Sequence, residues 1–324
     1  MTDYKQDHNQ HDGVKTDLDW WQNKICCPRC GKNIYVDGDL NICSHCQLGF
    51  QMDKNILCWE RSDFQTESVY GWKRYYEGVK YRLDPMASPY SPLVVWTKHL
   101  VDDYYSRTLW DKHLAQDWKQ HYLDGLNLSS GANVLDHGCG RGRNIGLLSQ
   151  LGLNVAGQEI ENNTWWDNFP RALVQVVSPG YHFLPWRDQS FNLVLDVGVI
   201  GHFQPDLLEE YCKEVQRVLV SGGYWLILEA NSKGYGAWMP RKHYGRLYSL
   251  KQVQAMAFKY GLEEVDHSYE GFYAPIFPRF LNFLRKQCFR SSFDMYDYGS
   301  RIEKFIPEER RGLWLLRLQK GRAL

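Results

Sequence analysis

No stretch of about 18 apolar residues occurs in the 324-residue sequence, so nothing in it reads as a transmembrane helix. The first 23 residues are polar, and they lack the apolar core of a secretory signal. There is no excess of either charge: Lys plus Arg and Asp plus Glu are each 38, which excludes the broad basic footprint of a dedicated nucleic-acid binder while leaving room for a local patch. A disulfide framework is missing too. Of the nine cysteines, five lie between Cys26 and Cys46 and the rest are scattered, a distribution that suits a metal site in a reducing compartment. These absences together predict a soluble, cytoplasmic protein.

What the sequence has in quantity is aromatic side chains, 15% of residues including 13 Trp and 21 Tyr, within an ordinary apolar fraction of 44%. Its length predicts about two domains. Residues 1–23 form the expected disordered leader. A small module follows at 24–60, where Cys27, Cys30, Cys43 and Cys46 have the spacing C-x2-C-x12-C-x2-C. Four thiolates in two tight knuckles make a closed tetrahedral Zn2+ site, structural because no position is left for water. Cys26 stands beside the first knuckle as a bystander that could replace Cys27. Residues 61–129 carry a four-residue aromatic and apolar period, Trp96, Leu100, Tyr104 and then Trp110, Leu114, Trp118, Tyr122, which predicts a helical connector or cap.

The most informative stretch is Asn133 to Asn144, NVLDHGCGRGRN. Val134 and Leu135 read as a buried strand, Gly138, Gly140 and Gly142 as a turn that lets a ligand approach, and the residues from Asn144 as a helix. Such a turn is expected to present unpaired amides to a nucleotide-like cofactor. A dinucleotide fingerprint would be G-x-G-x-x-G with its acid about 20 residues later. Here the spacing is G-x-G-x-G and the acid, Asp136, comes first.

That pattern resembles motif I of the class I S-adenosylmethionine-dependent methyltransferases, of the type-11 kind. Later segments resemble the family in the same order. Glu159 closes the second strand, Leu184-Pro185-Trp186 precedes Ser190-Phe191-Asn192, His202 follows the fourth strand, and Gly222-Gly223 separates a helix over 205–219 from the fifth strand. The resemblance implies an α/β fold, a doubly wound seven-stranded Rossmann-like sheet over 130–324 with its last strand antiparallel. An insertion is expected at about 272–311. The N-terminal module is similar to zinc ribbons fused to, or bound by, several methyltransferases.

The resemblance implies S-adenosyl-L-methionine as cofactor, held by Asp136, Gly138, Cys139, Gly140, Gly142 and Glu159. It departs after the third strand, where Ser178 to His182 replace the usual acid, so Tyr181 or His182 is expected beside the adenine. Asp196 and His202 are the candidate catalytic residues, lining the acceptor side, with His202 as base because an unperturbed imidazole titrates near neutrality. The expected function is methyl transfer to a small-molecule or lipid-like acceptor. Two alternatives are an RNA or protein substrate bound through the zinc ribbon, and a non-catalytic cofactor-binding scaffold. The basic and apolar stretch around Phe277 to Arg290 reads as a lid, a membrane contact or a packed helix with a solvated face.

Overall fold

The computed structural model describes residues 21, 23–34, 42–59, 115–116, 118–160, 164–169, 171–177, 183–234, 246–270 and 305–321. Residues 1–20 and 22 of the leader, most of the connector, Tyr181 and His182, and 272–304 of the expected insertion lie outside the described residues. Trp21, expected in a disordered leader, is fully buried instead, because its ring packs on Trp186 and Phe191.

The strands, in chain order, are β1 Phe50–Asp53, β2 Ile56–Trp59, β3 Asn133–His137, β4 Asn154–Glu159, β5 Val174–Val176, β6 Phe191–Val197, β7 Leu219–Ala230, β8 Leu262–Glu270 and β9 Leu313–Lys320. The α-helices among the described residues are α1 Arg143–Gln150, α2 Pro205–Val218 and α3 Leu250–Phe258. All strands belong to one sheet of order β1-β2-β5-β4-β3-β6-β7-β9-β8. From β5 to β7 the strands are parallel, and β9 enters antiparallel between β7 and β8. The order reverses at β3, which opens a crevice at the carboxyl ends of β3 and β6.

The sheet is therefore nine-stranded rather than seven-stranded. The two additional strands, β1 and β2, come from the cysteine module: β2 pairs in parallel with β5 through Ile56↔Val174, Leu57↔Gln175 and Cys58↔Val176. The module is thus the rim of the sheet, not an appended bead. Trp59 Nε1 donates to Gln175 Oε1 at 2.8 Å, and Gln175 Nε2 donates to Pro185 O at 2.9 Å, so a fully buried amide joins β2 to the loop before β6. A buried glutamine needs this many partners because an unsatisfied amide costs about 1–3 kcal/mol.

Alternation along the central strands builds a core on each face. Leu135, Ala156, Val194, Trp225 and Ile227 face Leu208, Cys212 and Val215 of α2, Val253 and Ala257 of α3, Trp21 from the end of the leader, and Ile25 and Leu48 of the cysteine module. Val134, Val155, Leu193, Leu195 and Leu226 face Ile145 and Leu148 of α1, with Tyr122, Leu123, Trp166 and Phe169. The connector's end, Lys119–Leu123, is a single helical turn whose Tyr122 and Leu123 complete the second core.

Two local signals behave differently in the structure. Ser249 caps α3, its side chain accepting from Gln252 N while the Gln252 side chain accepts from Ser249 N, a reciprocal box. Gly222-Gly223, expected to end the helix before the fifth strand, instead lies inside β7, which begins at Leu219 directly after α2. The pair sits in an irregularity where the β6 register jumps from Phe191↔Leu219 to Leu193↔Tyr224. A β-bulge accommodates these residues because Gly222, with φ 75°, suits the left-handed region.

Candidate functional site

β3 delivers Asp136 and His137 to opposite faces at its carboxyl end, and the chain then turns through Gly138, Gly140 and Gly142, all with positive φ. Crowding fixes two of these as glycine. A Cβ on Gly138 would come within 2.5 Å of Val199, in the loop after β6, and one on Gly142 within 2.5 Å of Phe169. Above Gly140 there is open space among the described residues, where a Cβ would meet nothing within 4 Å.

The turn does not present the row of unpaired amides expected of it. Gly138 and Cys139 both donate to Gln158 O, at 2.8 and 3.1 Å, Gly142 donates to Cys139 O at 2.8 Å, and Gly140 donates to Glu159 Oε2 at 2.8 Å. Trp166 Nε1 donates to Gly140 O at 2.9 Å and pins the loop from the other side. The end of β4 is the main reason: the Gln158 carbonyl and the Glu159 carboxylate take three of these donors, and Cys139 O, within the turn, takes the fourth.

What the turn leaves unsatisfied is an acceptor. Asp136 is 1% exposed, and Asn144 Nδ2 donates to its Oδ1 at 3.2 Å, while Oδ2 is buried with no hydrogen-bond partner. Burial is the main reason that its pKa is pushed up to about 8, partly opposed by the Asn144 hydrogen bond and reinforced by Asp196 and Glu159. A buried carboxylate oxygen without a donor at the foot of a glycine turn calls for a ligand that brings a donor or positive charge. A phosphate would be repelled there. S-adenosylmethionine, with its ammonium, sulfonium and ribose hydroxyls, fits: Asp136 can accept from a cationic end, and Glu159, half-buried at the end of β4, accepts from the Gly140 and Ile160 amides and brings a second carboxylate to the turn. The Cys139 side chain points into the core, buried, with burial holding its pKa well up, so only its backbone borders the turn.

The fold and this loop match a known family. Residues 135–227 match the family described as "Methyltransferase domain". The chain carries a methyltransferase domain.

Among curated relatives the chain is 24% identical over 166 residues to the Sterol 4-C-methyltransferase strm-1 of Caenorhabditis elegans, covering 49% of this chain and 49% of that protein. It is 35% identical over 103 residues to the Probable tRNA methyltransferase 9B of Mus musculus, covering 30% of this chain and 21% of that protein. The chain therefore spans about half the length of the first and about a fifth of the second. Among solved structures, the geranyl diphosphate C-methyltransferase of Streptomyces coelicolor A3(2) overlays with a TM-score of 0.46 at 12% identity, covering 63% of this chain and 76% of that one.

Asp196, expected to line the acceptor side, does not border open space. It is fully buried, and both its oxygens are taken: His137 Nδ1 lies 2.7 Å from Oδ1, and Tyr211 OH and Trp225 Nε1 donate to Oδ2 at 2.8 and 2.6 Å. Its strand position puts its side chain beneath the crevice, where α2 and β7 meet it. His202 ends the short turn Ile200–His202 after β6, and burial lowers its pKa to about 4. Nearby Glu229, buried at the end of β7, accepts from Ala230 and Gly201 amides, and burial lifts its pKa to about 7.

In the cysteine module, the Sγ atoms of Cys27, Cys30, Cys43 and Cys46 all lie within 4.8 Å of one another. Cys27 to Cys46 is 3.5 Å and Cys30 to Cys43 is 3.7 Å. Zn–S bonds of about 2.3 Å in a tetrahedron place sulfurs about 3.8 Å apart, so the donor set fits zinc. Cys26 turns the other way. Its thiol donates to Leu184 O at 3.4 Å and Trp186 O at 3.1 Å, and burial raises its pKa to about 12.

Three contributors were missed in the sequence: Trp166, His137 and Tyr211. The paired tryptophans after Glu159 and the histidine inside the glycine motif were visible signals. Tyr211 stands among the apolar residues of the α2 sequence and carries no such signal.

Proposed function

We propose that this chain transfers a methyl group from S-adenosyl-L-methionine to a small-molecule or lipid-like acceptor. The observation that carries the cofactor half is the orphan Oδ2 of Asp136, a buried acceptor beside a glycine turn whose amides are already used. Asp136 receives the donor end of the cofactor, Glu159 its hydroxyls, and Gly140 leaves room for its approach, with Gly138 and Gly142 shaping the turn and the Cys139 backbone alongside. Tyr181 and His182, between β5 and Phe183, are offered for the adenine. Bound there, the cofactor supplies an activated electrophilic methyl. The protein's part is to align the acceptor, exclude water and take up a proton where the acceptor carries one. His202 remains a candidate for the acceptor wall. With its pKa near 4 it is a weak base at neutral pH, so orientation suits it better than proton transfer.

Structural Zn2+ held by Cys27, Cys30, Cys43 and Cys46 is part of the same reading. Because β1 and β2 extend the sheet, zinc here supports the sheet rim instead of presenting a detached substrate-binding module. That favours a small acceptor over RNA or protein, in line with the balanced charge and with a sterol-directed relative. No helix of the described residues is long and apolar enough to cross a membrane. Calorimetry with S-adenosylmethionine or S-adenosylhomocysteine tests the cofactor half: saturable binding is expected, lost in Asp136→Ala, and no heat with either ligand sinks the enzyme reading. Steep salt dependence of RNA binding would overturn the acceptor class.

A further inference from the structure

His137 is a buried histidine with one nitrogen committed and the other free. It is 8% exposed and lies at the tip of β3, between Asp136 and Gly138. Its Nδ1 is 2.7 Å from Asp196 Oδ1 and 2.8 Å from Tyr211 OH. Phe203 and Tyr211 stack on the ring, with interplanar angles of 4° and 25°. No other polar contact is made by its side chain among the described residues, so Nε2 has no partner.

The surroundings settle the tautomer. Asp196, when ionised, only accepts, and it already receives Trp225 Nε1 and Tyr211 OH on Oδ2. A carboxylate oxygen 2.7 Å from Nδ1 requires a hydrogen between them, so the proton belongs on Nδ1 and the lone pair on Nε2. Two aromatic rings fix the plane of the imidazole, and a carboxylate behind it stabilises the cation that would form on proton uptake. The network thus differs from a satisfied core histidine, which would have both nitrogens paired.

Location gives this base a substrate. The loop after β6 rests on the glycine turn, with Val199 packed where a Gly138 Cβ would be, so His137, the turn and the acceptor-side loop meet at the crevice. We propose that His137, oriented by Asp196 and Tyr211, accepts the proton of the methyl acceptor through Nε2, which assigns the acceptor to the class whose reacting atom carries a proton, such as a hydroxyl. This rests on the methyl-transfer reading. As the acceptor atom bonds the methyl carbon, the carbon–sulfur bond breaks with its electron pair left on sulfur. The acceptor's proton passes to Nε2, giving an imidazolium paired with Asp196. Asp196 and Tyr211 are positioning residues, and neither touches the acceptor.

The test uses the intact chain with S-adenosylhomocysteine as probe. Diethyl pyrocarbonate acylates an accessible neutral imidazole, and peptide mass spectrometry reads His137 directly in the unmutated protein. His137 is expected to be labelled in the free protein, and saturating S-adenosylhomocysteine should slow labelling by at least about tenfold because the occupied fraction is shielded. Asp196→Asn, which keeps an acceptor oxygen but removes the charge, should slow labelling in the free protein and move the His137 nitrogen NMR signals away from a pure Nδ1–H tautomer. A His137 that stays unlabelled while the protein is folded, or is labelled equally with and without the probe, overturns the proposal even though calorimetry shows binding. If calorimetry shows no binding at all, the methyl-transfer reading falls, and the proposal falls with it.

Discussion

The seam where the cysteine module meets the sheet and the crevice at the carboxyl ends of β3 and β6 lie in one sheet, but they treat polar groups in opposite ways. At the seam, Arg217, Glu214, Asn55 and the backbone amides of Arg187 and Phe183 are answered. Arg217 donates from Nη1 to Trp186 O and Asp188, from Nη2 to Leu184 O and Glu214, and from Nε to Glu214, while Glu214 also receives Leu184 N. Asn55 donates to Phe169 O and Ala172 O, Arg187 N donates to Lys24 O, and Phe183 N to Pro28 O. At the crevice, Asp136 Oδ2 and His137 Nε2 are left without partners, and two carboxyls, Asp136 and Glu229, are pushed well above their ordinary range by burial. Closed polar networks stabilise; open ones are costly when buried, and they persist where a ligand completes them.

The largest expected effect breaks the seam. Cys27→Ser removes one of four thiolates, and structural zinc in small finger peptides supplies about 10–16 kcal/mol of apparent binding energy. The variant should lose its metal by elemental analysis. Because β2 is hydrogen-bonded to β5, its melting temperature should fall for the whole sheet and not in a separate early transition. A two-step melt, with the methyltransferase domain unaffected, would show that the module is independent.

Next comes the crevice. Asp136→Asn keeps the shape but not the charge, and a hydrogen bond to a charged group is worth about 1.5–3 kcal/mol, or about 10- to 100-fold in affinity. Binding of S-adenosylhomocysteine should weaken by that factor in calorimetry, whereas the free protein should become more stable at pH 8. Unchanged affinity would remove Asp136 from the cofactor site.

The pH dependence follows from the same group. Folded Asp136 keeps its proton up to about pH 8, and unfolded it releases it near 3.8, so between these values the native state binds more protons and stability falls as pH rises, by up to about 1.4 kcal/mol per unit. Glu229, raised from 4.5 to about 7, acts in the same direction. A ligand that supplies a donor to the carboxylate binds its ionised form. Affinity should therefore climb with pH until about 8, with proton release seen as buffer-dependent heats, and Asp136→Asn should flatten both slopes.

How far this contrast could be read in the sequence depends on whether a residue's role is local. Asp136, Glu159 and the four cysteines announce themselves by spacing, and the core strands β3, β4 and β6 by their apolar runs. The fusion of the cysteine module into the sheet could not be read, because the β2–β5 pairing joins Ile56 to Val174 across more than a hundred residues and leaves no mark in either segment. The role of Asp196 was misjudged for a related reason. Its place at the end of β6 is legible, but the three donors that close over it come from β3, α2 and β7. Most of the amides at the glycine turn are likewise taken by the end of β4, which the turn's own sequence does not show.

The smallest effect sharpens the distinction between two adjacent cysteines. Cys26→Ala should keep its full metal content, since the Cys26 thiol faces Leu184 O and Trp186 O and lies apart from the four-sulfur cluster. Neither carbonyl is orphaned by its removal, because Arg217 also donates to both, at 3.1 and 2.7 Å. The loss is then a weak thiol bond and a little packing, about 1 kcal/mol by denaturant unfolding. A variant that loses zinc would place Cys26 in the metal shell. One that loses much more stability without losing zinc would mean that the thiol, rather than Arg217, holds the loop from Leu184 to Trp186 against the module.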